Sequence, residues 1–107
     1  METDVKELFA GLPGAELVAE GLADVAAGRE SVAGELVKLG SPRLRDCGVE
    51  IDVSRDDALE ADRRLYRLLG ATHGHEAHSQ YNALIRQLVS FERALEHRVS
   101  RARRSAA

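Results

Sequence analysis

The chain has 107 residues, 44% apolar and 31% charged, with a formal net charge of −3. That length allows one domain with a modest core, and aromatics at 4% mean the core has to be built from Leu, Val, Ala and Ile. A single cysteine, Cys47, excludes an internal disulfide, and no apolar run is long enough to span a bilayer.

The lone cysteine suits a reducing compartment. The acidic start Met1-Glu2-Thr3-Asp4 leads into no apolar signal region, so a cytoplasmic chain without a membrane partner is expected. With only two prolines and few β-branched runs, the composition predicts an all-α fold. Charge is unevenly distributed: residues 1–40 carry −5, residues 41–80 carry −2 and residues 81–107 carry +4.

In chain order, a short helix is expected from Asp4 to Ala10, capped by Thr3 or Asp4 and stopped at Gly11. Gly11-Leu12-Pro13-Gly14 reads as a turn. A second helix spans about 15–27, with Leu17, Val18, Gly21, Leu22, Val25 and Ala26 on one face and Glu16, Glu20 and Asp24 on the other. Gly28 closes it. A third helix over 30–39 buries Val32, Leu36 and Leu39 and sends Glu30, Glu35 and Lys38 outward. Ser41-Pro42 reads as an N-cap and first helical position, giving one turn through Asp46.

Val49 to Val53 alternates apolar and polar residues, but one strand has no partner, so an extended connector is expected. Ser54 with Asp57 three positions on is a capping signal. The helix it starts runs to Leu69 with Ala58, Ala61, Leu65, Leu68 and Leu69 inward and Glu60 paired to Arg64 outside. Gly70 is its expected stop. The remaining residues to Gly74 make so short a loop that the next helix has to return antiparallel.

That last helix covers residues 74–103. Tyr81, Leu84, Leu88, Phe91 and Leu95 recur at three and four positions and form one stripe. At 1.5 Å per residue it is roughly 43 Å long, against about 33 Å for a compact domain of this size. The helix therefore overhangs its domain or packs on another chain. Ile85 and Val89 widen the stripe before Phe91, and Glu92 and Glu96 invade it afterwards. The helix is expected to leave the core there, and residues 104–107 to form a frayed basic tail on a single domain of residues 1–103, with the hairpin at 55–103.

Four groups of residues are candidate sites. His73, His75, Glu76 and His78 gather metal-ligand chemistry at the hairpin tip, although the spacing lacks the i,i+4 histidines of a zincin. The competing reading is a polar tip with His78 against Tyr66. Asp62 and Glu92 intrude on apolar stripes, but hairpin register sets them about 13 Å apart, too far for an acid–base dyad. Cys47 has only Arg43 and Arg45 nearby, too little to activate a thiol. Arg98, Arg101, Arg103 and Arg104 could touch phosphates, yet the acidic chain, the missing aromatics and the acidic third helix point away from nucleic acid.

No phosphate loop, nucleophile elbow or paired-cysteine motif is present. The sequence thus favours a protein-interaction or regulatory module over an enzyme and leaves any cofactor unknown. Self-association through Leu88, Phe91, Leu95 and Val99 accounts most economically for the long helix, with another protein as the other partner and metal binding at the histidines as the alternative function.

Overall fold

The computed structural model describes residues 5–106, and among them every regular element is helical. They are α1 (Val5–Phe9), α2 (Ala15–Ala26), α3 (Val32–Leu39), α4 (Ser41–Asp46), α5 (Arg55–His73), a 3₁₀ turn (Gly74–Glu76) and α6 (Ala77–Ala106). The all-α expectation holds. The proposed caps Thr3 and Asp4 lie outside the described residues.

Local chemistry sets most of the boundaries. At the end of α2 the Gly28 amide donates to Val25 O and the Arg29 amide to Asp24 O, with Gly28 at φ +72°. This is the two-bond glycine stop. Ser31, not Glu30, starts α3: its Oγ accepts from the Gly34 amide at 2.9 Å and donates to Asp24 Oδ2 at 2.6 Å. Ser54 caps α5 by accepting from the Asp57 amide at 3.1 Å. Residues 49–53 have no regular secondary structure, and the Val49 amide donates to Leu44 O at 3.0 Å. Val49 and Val53 tuck inward while Arg45 donates to the carbonyls of Ile51 and Val53.

α3 lies at the centre, packed on α2, α4, α5 and α6. Its approach to α2 is close because Gly21 carries no side chain. A Cβ there would sit 2.3 Å from Ala33 O and 2.7 Å from Val37 Cγ1. Val18, Leu36, Val37, Leu44, Leu65, Leu69, Phe91 and Leu95 form the dry centre.

Three expectations are corrected. α5 does not stop at Leu69. A lone glycine only weakens a helix, so α5 runs through Gly70 to His73, where Gly74 at φ +57° reverses the chain. Arg64 is not paired outward with Glu60. It turns in to Glu35 Oε2 at 3.0 Å and also binds Asp57.

The third correction concerns α6, which does not leave the core at Phe91. α1 folds over it, with the Phe9 ring edge-on to Phe91 at a centroid distance of 4.7 Å. Arg98 holds the end of α1 by donating to Leu8 O at 2.8 Å and Ala10 O at 2.7 Å. Only residues 100–105 are exposed without interruption. α6 itself, about 45 Å at 1.5 Å per residue, accounts for the longest molecular dimension of 49 Å, against 24 and 20 Å across.

Candidate functional site

Residues of α3, α4, α5 and α6 line an open groove whose α5 wall carries an exposed leucine. Along α5, Leu59, Asp62 and Tyr66 are three and four positions apart and share the flank nearest α6. Leu59 is 68% exposed and Tyr66 42%, and both are large apolar side chains that folding leaves uncovered. Leu59, Ala58, Leu39, Pro42 and Tyr81 line a groove of about 700 Å³, with Arg55 at its edge. A depression of about 820 Å³ beside the Gly11–Ala15 turn is larger, but no large apolar side chain lining it is left exposed as Leu59 is.

One wall of the first groove is tied together by side-chain contacts. Tyr81 donates its hydroxyl to Asp62, and its ring centroid lies 5.5 Å from that of Tyr66, which in turn lies 6.3 Å from His78. The bond to Asp62, aided by burial, pushes the Tyr81 hydroxyl up to about 12. Tyr81 is thus a fixed donor near neutral pH and no base. The expected neighbourhood of His78 and Tyr66 is present. Both tyrosines of the chain stand together here.

A second cluster lies between α4 and α6. Glu92 is 3% exposed, with Oε1 3.8 Å from an Arg43 guanidinium nitrogen and Oε2 accepting no hydrogen bond among the described residues. Arg43 spends its hydrogen bonds on Glu96 instead. Burial pushes the Glu92 carboxyl up to about 7, opposed by Arg43 and reinforced by Glu96. Burial likewise raises the Cys47 thiol, with Glu96 and Glu92 adding to the shift. A thiol held protonated in this way is a poor nucleophile. Asp62 is occupied by Tyr81 and Glu92 faces Arg43, so the two carboxylates share no partner.

Other sequence candidates are dispersed. His73 ends α5, His75 and Glu76 sit in the 3₁₀ turn, and His78 opens α6 with Nε2 3.2 Å from Asn82 Nδ2. Among the described residues no three His, Cys, Asp or Glu side chains converge on one metal position. Leu88, Phe91 and Leu95 are 4%, 0% and 0% exposed inside the chain's own core, and Val99 is half-buried against it. The seam expected for a homodimer is therefore already occupied. The arginine cluster divides: Arg98 is taken by α1 and Arg103 reaches Asp46 O at 3.5 Å, while Arg101 and Arg104 remain exposed.

Sequence reasoning missed the exposure of Leu59, the contact of Tyr66 with Tyr81 and the inward turn of Glu35. The apolar periodicity of α5 showed its core stripe, and Leu59 falls outside that stripe by about 120° at 100° per residue, which was the available signal. No helix among the described residues is long and apolar enough to cross a membrane. The chain matches no protein-family model, no curated protein and no solved structure.

Proposed function

We propose that this chain is a protein-interaction module that receives an apolar segment of another protein in the groove between α4, α5 and α6. The observation that carries the reading is the exposure of Leu59 on the same flank of α5 as Tyr66, whose ring meets Tyr81 at a tilt. Covering one leucine contributes about 1.5–3 kcal/mol, and tyrosines with few free torsions are favoured anchors of interfaces. Arg55 at the edge of the groove selects a partner segment with a carboxylate next to its apolar residues.

Co-purification of the tagged full chain from its native cell, beside Leu59→Asp and Tyr66→Ala variants, tests the proposal. Both residues are exposed, so circular dichroism spectra and melting should be unchanged. A stoichiometric partner lost from both variants is the expected result. Equal recovery with wild type and variants overturns the assignment of the groove. Light scattering on the pure chain decides whether the occupant is a second copy, which would yield a dimer that Leu59→Asp dissociates.

A further inference from the structure

The face of α6 turned away from the core carries a pattern of its own. Arg86, Ser90, Arg93, His97, Arg101 and Arg104 follow at steps of four and three, and all are exposed. At 100° per residue they fall within a sector of about 80° opposite Leu88, Phe91 and Leu95. From Arg86 to Arg104 the ridge is about 27 Å long at 1.5 Å per residue.

Among the described residues none of these four arginines forms a salt bridge, the carboxylate pairs being made by Arg29, Lys38, Arg43, Arg64 and Arg67. Arg86 makes only a 3.4 Å contact from Nε to Asn82 O in the preceding turn. The single acid three or four positions from any of them is Glu96, which Arg43 holds. A solvated helix face ordinarily alternates signs at i,i+4, and like charges at that spacing weaken it. The helix dipole accounts for Arg101 and Arg104 in the last turns. It does not account for Arg86 and Arg93, since its effect fades within one turn.

We infer that this ridge binds the phosphate backbone of duplex nucleic acid. The ridge has four guanidinium groups with Ser90 and His97 between them, and no leucine, valine, phenylalanine or tyrosine. A protein interface needs an apolar centre, whereas phosphate contacts need only charge and donors. A lipid surface takes up a basic helix through a free apolar face, and the apolar face of α6 is spent on the core. The length is under one turn of duplex, about 34–36 Å. Residues 1–80 are net negative and residues 81–107 net positive, so long-range attraction draws a polyanion towards α6. The inference stands independently of the groove.

The test is fluorescence anisotropy of a labelled 20-base-pair DNA duplex titrated with the full chain across 50–200 mM salt. Four phosphate contacts give a slope of log K on log salt of about −3.6, an affinity loss of about 150-fold over that range. An Arg86→Gln/Arg93→Gln variant, with both changes on exposed positions, should halve the slope and reduce the loss to about 12-fold. An Arg63→Gln/Arg67→Gln variant on α5 has the same charge change and should behave as wild type. No binding at 50 mM salt, or equal effects of the two double variants, overturns the inference. So does ridge-dependent binding that is tighter to phosphatidylserine vesicles or to polyglutamate than to the duplex.

Discussion

Replacing Glu92 by Gln should stabilise the protein above pH 7 and change little in acid. Glu92 is 3% exposed, its Oε2 lies 3.0 Å from where a Gly40 Cβ would stand, and its nearest cation is 3.8 Å away. Burial without a full partner raises the carboxyl from 4.5 to about 7. Between those values the native chain holds a proton that the unfolded chain has released, so stability falls as pH rises through the window and levels off above about 7. Two and a half pH units correspond to about 3 kcal/mol. Glutamine keeps the shape and stays neutral, so the difference between variant and wild type should grow by about that amount from pH 4 to pH 8.5. Urea unfolding reads it as a relative midpoint shift of about 1–3 M for m values of this size class. Comparing the two proteins at each pH cancels the titration of every group that does not sense Glu92. A difference that stays constant with pH would refute the reasoning, because it would mean that Glu92 does not titrate in this range.

Gly21→Ala should cost about 3 kcal/mol in thermal or urea unfolding, since its Cβ would meet Ala33 O at 2.3 Å and one of the two helix backbones has to move. Gly70→Ala, a helical position with nothing within 4 Å of the new methyl, should instead stabilise by about 0.5–1 kcal/mol. Arg64→Ala leaves Glu35, 1% exposed, with only Lys38 at 3.5 Å, and should cost about 3 kcal/mol; Glu35→Leu with Arg64→Leu should cost less, because no charge is then stranded. Phe91→Ala should cost about 3–5 kcal/mol and loosen α1, read as faster hydrogen exchange at Leu12, whose amide bonds Phe9 O.

Much of the scaffold was legible because its signals are local. Ser54 before two aspartates, Gly28 after the apolar face of α2, and the spacing of Leu65, Leu69, Leu88, Phe91 and Leu95 each name a cap, a stop or a stripe without knowledge of the rest. What failed was the identity of the element covering a stripe. The length and narrowing stripe of the last helix suggest a seam for a second chain at Leu88, Phe91, Leu95 and Val99, yet the chain's own core takes them. Phe9, more than eighty positions from Phe91, covers that ring edge-on. Glu35 was misjudged for the same reason. Residues 33–37 are all buried because a short central helix is enclosed on nearly every side, and its one acid is satisfied from α5. Gly70 misled through its statistics, a lone glycine being a weak helix stop when packing continues on both sides.

The division of α6 into faces also limits how the proposed surfaces can be related. Its core stripe is fully used, Tyr81 joins the flank shared with α5, and the arginines occupy the opposite side. A ligand on the ridge and a segment in the groove therefore approach the helix from different directions, and neither needs the other's side chains. The two readings are separable by variant: Leu59→Asp should abolish partner capture and leave the salt slope of duplex binding unaltered, while Arg86→Gln/Arg93→Gln should do the reverse. A chain with both properties would bring a protein to a nucleic acid. Loss of both from either variant would mean instead that the surfaces are one site, and that the opposition of faces along α6 does not keep their ligands apart.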